Sequence, residues 1–180
     1  MKQASSYSPL LIALHWLSAL LIAGALIVAW TLDDMPRGAE KTAWMSLHQT
    51  LGVSVLVIAF LRLVMRRVHG VPPHMMETAM DKLATLVQVS LYGFMIWVPV
   101  FGYLTSSFGG HPVNLFGGAV QLPLLTPQDH GTHELLGDLH QALAYVMLAL
   151  VGLHVAGALK HHFILKDDIL SRMAPWVGKR

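Results

Sequence analysis

The 180-residue chain contains no cysteine, and this absence excludes several kinds of site. Without thiols there can be no disulfide framework, no cysteine-ligated zinc or iron–sulfur cluster, and no haem attached through a C-x-x-C-H motif. Charge is also scarce: 12% of the residues are Asp, Glu, Lys or Arg, against about 25% in a typical soluble domain, whereas 54% are hydrophobic. Such a composition cannot solvate a compact globule, and it predicts a surface that faces lipid.

Four apolar segments account for most of the chain, at about residues 10–30, 44–65, 82–104 and 137–160. The first is too long for the apolar region of a signal peptide, and at ~1.5 Å per residue it can cross a ~30 Å hydrocarbon core. The connection at about 105–136 is rich in glycine and proline, so we expect an ordered cap outside the bilayer and not a fifth span. The sequence therefore predicts one domain over residues 1–180, with an all-α fold: a bundle of four transmembrane helices.

The distribution of lysine and arginine predicts the orientation in the membrane. If both termini lie on one side, that side receives ten of the twelve Lys and Arg residues, and the other side receives only Arg37 and Lys41. Because short loops rich in these residues stay in the cytoplasm, both termini are predicted to be cytoplasmic. The basic residues lie beside apolar segments, which indicates membrane lipid and not nucleic acid as the partner.

Four histidines lie within or at the edge of the apolar segments. An ionisable side chain costs free energy in a membrane, so its presence there usually indicates a function. His15 and His154 are near the cytoplasmic ends of the first and fourth segments, whereas His48 and His140 are near the outer ends of the second and fourth. His140 and His154 are 14 residues apart, which is ~21 Å along a helix and on the same face. Facing imidazoles at two levels predict two bis-histidine sites, His15/His154 and His48/His140, of the kind that binds the iron of haem b.

Other uses of these histidines must be considered. A single membrane histidine often serves as an interhelical hydrogen-bonding group or a proton relay, so a transporter of protons or metal ions is a hypothesis from a different class. Zinc or copper would require several imidazoles at one level, and no carboxylate or thiolate stands among these four. An optical spectrum distinguishes the hypotheses, because only a haem protein has a Soret band and a reducible α-band.

Two arginines are candidates for binding the acidic groups of the inner haem. Arg62 lies 14 residues after His48, so it shares the helix face of His48 but lies at the cytoplasmic level. Haem propionates pair with cationic side chains near the membrane interface, which makes Arg62 and Arg66 candidate propionate ligands. The alternative is that both arginines only anchor the helix at the interface.

Several short motifs point to one family of membrane cytochromes. They are ALHW at residues 13–16, LH at 47–48, FLR at 60–62 with Arg66 and PP at 72–73 behind it, and above all LH at 139–140, LH at 153–154, KHHFILKDD at 160–168 and LSRMAP at 170–175. By these motifs the chain resembles bacterial cytochrome b561 over nearly its whole length. The resemblance implies a four-helix, di-haem membrane protein that exchanges electrons with quinone, with His15, His48, His140 and His154 at the ligand positions.

One branch of this family is a superoxide oxidase, so the leading hypothesis is a superoxide:ubiquinone oxidoreductase with two haems b and ubiquinone as an exchangeable substrate. The alternative is a non-enzymatic cytochrome subunit that carries electrons from a soluble partner dehydrogenase to quinone; copurification of a large soluble subunit would distinguish it. Lys160, His161 and His162 would contact quinone or propionates, or else merely stabilise a helix end. The outer connection lacks the fixed cations that would suit superoxide and offers histidines instead: His111, His130 and His133.

Overall fold

The computed structural model describes residues 7–70 and 78–178, and the structure there is mostly helical. The four long helices are α1 (Pro9–Asp33), α2 (Ala39–His69), α3 (Ala79–Phe108) and α4 (His130–Lys160). Between α3 and α4, strand β1 (Val113–Leu115) pairs antiparallel with β2 (Val120–Leu122). The expected ordered cap therefore contains a small β-hairpin, which the prediction of an all-α fold did not include.

Polar caps begin the helices outside the apolar segments. Ser8 accepts a hydrogen bond from the backbone N–H of Leu11, with proline at the first helical position as the sequence indicates. Thr78 and Asp81 form a reciprocal capping box at the start of α3. Asp129 accepts a hydrogen bond from the backbone N–H of Thr132 at 2.7 Å. Hydrogen bonds with the side chain and the backbone of Thr132 hold the pKa of the Asp129 carboxyl below its usual range. The helices are consequently longer than the apolar segments, most clearly α4.

Three helices are long and apolar enough to cross a bilayer: α1, α3, and α4 with its extension to Leu165. The helix α2 is the least apolar of the four, because Arg62, Arg66 and Arg67 and a polar stretch around His48 interrupt it. Its length and composition alone do not identify it as a span. Many large apolar side chains of the four helices are exposed in the isolated chain, as expected of surfaces that face lipid.

The helices pack as two pairs, α1 on α2 and α3 on α4, with α2 also contacting α3. Within the described residues, α4 packs closely on α3 but scarcely approaches α1 or α2. The exception is Met147, the one buried residue of α4, which joins a central core with Ile22, Val55, Ala59, Met95 and Val98. Met147 lies seven residues from both His140 and His154, so this core lies between the levels of the two histidines along α4.

The two ends of the bundle differ. At one end, called here the terminal end, α1 begins and α4 finishes in a π-helical turn, His161–Leu165. The chain after this turn folds back onto α1, where the indole N–H of Trp16 donates to the carbonyl oxygen of Met173 at 2.8 Å. At the opposite end, called the hairpin end, α2 and α4 begin and the β-hairpin covers the start of α2. The Pro72-Pro73 motif and the last two residues lie outside the described residues.

Candidate functional site

His48 of α2 and His140 of α4 face each other at the hairpin end. Their ring centres are 6.1 Å apart and their planes are nearly perpendicular, at 89°. The Nδ1 atom of His48 lies 3.1 Å from the carbonyl oxygen of Ala25, and that of His140 lies 2.9 Å from the carbonyl oxygen of Val98. A carbonyl oxygen can only accept, so each Nδ1 carries the hydrogen and each Nε2 is left free to bind a metal.

His15 of α1 and His154 of α4 form a second pair at the terminal end. Their ring centres are also 6.1 Å apart, with 62° between the planes. The environment of His15 differs from that of the first pair, because its Nδ1 lies 3.3 Å from Nη2 of Arg62. A guanidinium can only donate, so Nδ1 of His15 accepts in this contact. The carbonyl contacts of the first pair leave Nε2 free to bind a metal. The contact with Arg62 instead puts the hydrogen of a neutral His15 on Nε2, so this contact must open before Nε2 can bind a metal.

The separation within each pair can be compared with that of two imidazoles on one metal ion. An imidazole nitrogen lies about 2 Å from a bound metal and the ring centre about 1 Å further, so two opposed ligands have centres about 6 Å apart. Both pairs match this distance. Among the described residues, no group of three or more His, Cys, Asp or Glu side chains could hold a metal ion. Each pair therefore fits a metal ion that takes two opposed imidazoles from the protein, as the iron of haem b would, better than a bare zinc or copper ion.

A cavity of about 680 Å³ surrounds the His48/His140 pair, within the ~300–1,000 Å³ range of ligand and cofactor sites. Two glycines shape it. A Cβ on Gly52 would meet no atom within 4 Å, so this position leaves open space one helical turn from His48. A Cβ on Gly102 would come within 2.9 Å of Cε1 of His140, so glycine is needed there to seat the ring. Nothing in the sequence distinguishes Gly102 from the other glycines, and sequence reasoning missed it.

Arg62 is held in a partly buried position beside the His15/His154 pair. Its Nη1 donates to Oγ of Ser18 at 3.3 Å, and its guanidinium lies 4.9 Å from the ring centre of Tyr92. Arg66 stacks on the same ring at 5.4 Å. Among the described residues, Nε of Arg62 is the one buried side-chain nitrogen or oxygen without a hydrogen-bond partner. An unpaired buried donor costs ~1–3 kcal/mol, so this atom fits an acceptor oxygen on a bound group, such as a haem propionate.

Comparison with known proteins gives the family. The sequence profile of prokaryotic cytochrome b561 matches residues 6–176, nearly the whole chain. The chain belongs to the prokaryotic cytochrome b561 family. It is 31% identical to "Cytochrome b561 homolog 2" of Escherichia coli K12, over 93% of this chain and 90% of the relative. It is 33% identical to "Cytochrome b562" of Cereibacter sphaeroides (96% and 98% covered) and 29% identical to "Probable superoxide oxidase CybB" of Yersinia pestis (94% and 96% covered).

Membership of the cytochrome b561 family settles the general class of the protein. With three apolar helices, it is a multi-pass protein of the bacterial inner membrane that transfers electrons, and the family implies haem b as its cofactor. The resemblance stated from the sequence motifs is confirmed.

The residues at the end of α4 and directly after it differ in their burial and in their contacts. Nδ1 of His161 donates to Oδ2 of Asp167 at 2.6 Å. His162 is buried, with its ring packed edge-on against Phe163. Lys160, the last residue of α4, is partly exposed. The structure therefore places the three predicted residues together at the terminal end, with His161 paired to a carboxylate.

The carboxylate of Asp167 reaches His161 because Lys166 adopts a left-handed conformation (φ 55°) and turns the chain back. Burial opposes ionisation of Asp167, but hydrogen bonds with His161 and with the N–H of Ile169 outweigh it and lower the pKa of this carboxyl. Sequence reasoning did not assign Asp167 a role, although the residue lies in the most specific motif. Its spacing of six residues from His161 matches no regular helical contact, so the pairing could not be anticipated.

The mouth of the cavity at the hairpin end carries the other ionisable residues considered from the sequence. Arg37, Lys41, His111 and His133 line it. Nδ1 of His133 donates a hydrogen bond to the carbonyl oxygen of Thr105 at 2.8 Å. His130 lies away from the cavity in an exposed pair with Glu134 at 3.2 Å. The two fixed cations of this end and two of its three loop histidines therefore converge on the entrance to the His48/His140 pair.

Proposed function

We propose that the protein is a four-span, di-haem b membrane protein that exchanges electrons with quinone, of the superoxide:ubiquinone oxidoreductase type. The observation that carries the proposal is the matched geometry of the two histidine pairs, which lie at opposite ends of the bundle with the same separation between ring centres, 6.1 Å. Bound there, two haems b would supply a one-electron relay between the two membrane surfaces.

The proposed topology has four spans in a single domain over residues 1–180. The helix α2 has 31 residues, which at ~1.5 Å per residue exceeds the ~30 Å thickness of a hydrocarbon core. It carries His48 near one end and Arg62 near the other, so in this proposal it crosses the membrane and places one of these side chains at each pair. Ten of the twelve Lys and Arg residues fall on the side of the termini, which favours a cytoplasmic terminal end and an external hairpin end.

In this proposal each ligand has a defined role. His15 and His154 would hold a haem iron at the cytoplasmic level, and His48 and His140 would hold one at the outer level. The carbonyl groups of Ala25 and Val98 fix the rings of the outer pair, so that Nε2 is the coordinating atom. Arg62 and Arg66, which share the ring of Tyr92, bind propionates at the cytoplasmic level.

The proposed reaction conserves electrons and protons. Two superoxide ions each lose one electron at the outer side and leave as two molecules of dioxygen, while one ubiquinone takes up two electrons and two protons and leaves as ubiquinol. Arg37 and Lys41 at the cavity mouth attract an anion there. His161 and His162, with Lys160, are the protonatable side chains of the cytoplasmic end. The relative named as a probable superoxide oxidase, 29% identical to this chain, supports the choice of donor.

The decisive experiment uses the purified protein in lipid nanodiscs. Haem is quantified per chain by the pyridine haemochrome assay, and the absorption of the α-band is then followed after addition of superoxide and, next, of ubiquinone. We expect two haems per chain, reduction by superoxide and reoxidation by ubiquinone. A ratio of one haem per chain would contradict the two-site arrangement, and two haems that superoxide fails to reduce would contradict the donor. A protein without a Soret band would support the relay transporter.

A further inference from the structure

The β-hairpin is fastened to α2 by side chains that satisfy its backbone. Oγ of Ser46 donates to the carbonyl oxygen of Asn114 at 2.8 Å and accepts the N–H of Gly117 at 3.0 Å. Oε1 of Gln49 accepts the N–H of Asn114 at 2.8 Å, and Oγ1 of Thr50 accepts the N–H of Phe116 at 2.9 Å. Three side chains of one helix thus hold β1 and the turn Phe116–Gly118. This turn, together with Val120 at the start of β2, is called the hairpin tip below.

These contacts determine how deep the hairpin tip lies. Ser46, Gln49 and Thr50 lie on both sides of His48, and at ~1.5 Å per residue all three are within about 3 Å of it along the axis of α2. The outer charged residues of the helix, Glu40 and Lys41, lie at least ~7 Å further out. The hairpin does not rest on top of the bundle; its tip descends beside α2 to the depth of a proposed haem ligand.

The chemistry of the hairpin tip is apolar. The side chain of Phe116 is 67% exposed and that of Val120 is 45% exposed. No Asp, Glu, Lys or Arg occurs from residue 83 to residue 128, so no charge accompanies this part of the chain. Phe116 also has a positive φ of 52°, a conformation that costs a non-glycine residue about 1–3 kcal/mol. The backbone therefore adopts a strained turn that leaves the aromatic ring directed away from the protein.

The hydrogen bonds between α2 and the hairpin backbone are of the kind that irregular backbone needs in an apolar environment. Within a bilayer, backbone N–H groups without partners cost several kcal/mol each, and irregular backbone is tolerated only where protein groups satisfy it. The N–H groups of Asn114, Phe116 and Gly117 all have side-chain acceptors on α2. In water such partners would be optional, since solvent could take their place.

We propose that the hairpin tip is embedded in the outer leaflet of the membrane, with Phe116 and Val120 in contact with lipid acyl chains. Val113 and Asn114 of β1 line the cavity at His48, so the hairpin forms a wall between this cavity and the lipid. The inference rests on the proposed four-span topology, in which α2 crosses the membrane. It revises the expectation that the whole connection at about 105–136 lies outside the bilayer.

The chain contains no cysteine, so single cysteines can be labelled without background. The variants are Phe116→Cys and Val120→Cys, with Val57→Cys on the exposed face of α2 as the reference for lipid and His130→Cys as the reference for water. Each haem-loaded variant is spin-labelled in lipid nanodiscs, and its collision rates with oxygen and with a water-soluble nickel chelate are compared. We expect the labels at Phe116, Val120 and Val57 to favour oxygen, and the label at His130 to favour the nickel chelate.

The reference labels separate failure of this inference from failure of the topology. Labels at Phe116 and Val120 that favour the nickel chelate, with the Val57 label favouring oxygen, would overturn the embedded tip and leave four spans intact. A Val57 label that favours the nickel chelate would overturn both. Low collision rates with both reagents at Phe116, together with dipolar broadening between labels, would indicate contact with a second copy of the chain and would also overturn the proposal.

Discussion

Gly102 of α3 lies directly beside the imidazole of His140, so that a Cβ at this position would come within 2.9 Å of Cε1 and 3.1 Å of Nδ1. The same helix also holds the ring through the hydrogen bond that Nδ1 of His140 donates to the carbonyl oxygen of Val98, one turn earlier. The ring therefore has little freedom to move without losing either that hydrogen bond or its alignment with His48. Close packing of this kind makes a glycine of the neighbouring helix part of the geometry of a proposed haem ligand.

The first prediction concerns Gly102→Ala. The added methyl group must displace the ring of His140, so we expect haem content to fall from two per chain toward one, with loss of the outer spectral component. Gly93→Ala is the matched control, because a Cβ at Gly93 in the same helix would meet no atom within 4 Å. Both changes raise helix propensity equally, by about 1 kcal/mol. A Gly102→Ala protein with two haems and an unchanged spectrum would contradict the role given to this glycine.

The second prediction concerns the independence of the two sites. His48→Ala removes one ligand of the outer pair and leaves His15 and His154, on the other side of the core around Met147, untouched. We expect one haem per chain and the spectrum of the inner site alone, measured by pyridine haemochrome assay and low-temperature absorption of the α-band. His130→Ala, an exposed histidine at the same end of the bundle, should retain both haems. Simultaneous loss of both components would argue against the proposed pairing.

The third prediction concerns the charge of Arg62. A positive charge beside the inner site stabilises the reduced state, so Arg62→Ala should lower the inner reduction potential. A lost interaction of roughly 1–2 kcal/mol corresponds to about 40–80 mV for one electron. Spectroelectrochemical titration measures this shift. Arg67 is an exposed arginine of the same helix, so Arg67→Ala should change neither potential. If Arg62→Ala changed only the potential of the outer haem, the predicted position of Arg62 beside the inner haem would be contradicted.

The histidine pairs could be anticipated because they follow from helix periodicity and depth. A rise of ~1.5 Å per residue fixes the level of each histidine once the apolar segments are known, and a spacing of 14 residues fixes the shared face of His140 and His154. The helix starts were partly predictable for the same reason, since Ser8-Pro9 acts locally. Helix periodicity and local capping residues can be recognised in a single sequence without knowledge of the tertiary structure.

The hairpin and the supporting residues could not be anticipated, because they depend on contacts between distant parts of the chain. The strands have only three residues each, and the N–H of Asn114 finds its partner on Gln49, 65 residues earlier in the sequence. The guanidinium groups of Arg62 and Arg66 in α2 both lie over the ring of Tyr92, which belongs to α3. Such contacts are set by how α2, α3 and the hairpin meet, which no local pattern encodes.

For the proposed reaction with quinone, the terminal end has a specific arrangement of protonatable side chains. Nδ1 of His161 donates to Asp167, which leaves Nε2 of this imidazole as the atom that exchanges a proton with a ligand. His162 follows directly, buried against Phe163, and Lys160 adds a cation at the end of α4. His154 precedes His161 by seven residues, about 10 Å along a helix, so an electron-carrying group and a proton source lie within reach of one bound quinone.

The fourth prediction is that quinone reacts at this cytoplasmic end. Reduction to quinol requires two protons, and a positioned general acid typically contributes ~10²–10⁴-fold, so the double change His161→Ala with His162→Ala should slow haem reoxidation by ubiquinone at least ~10-fold. Stopped-flow absorption in nanodiscs measures this rate, while the haemochrome assay verifies that both haems remain. His69→Ala, an exposed histidine at the same end of the bundle, should reoxidise at the rate of the unaltered protein. Unchanged kinetics in the double variant, with intact spectra, would move the quinone site to the hairpin end, where His111 and His133 line the cavity.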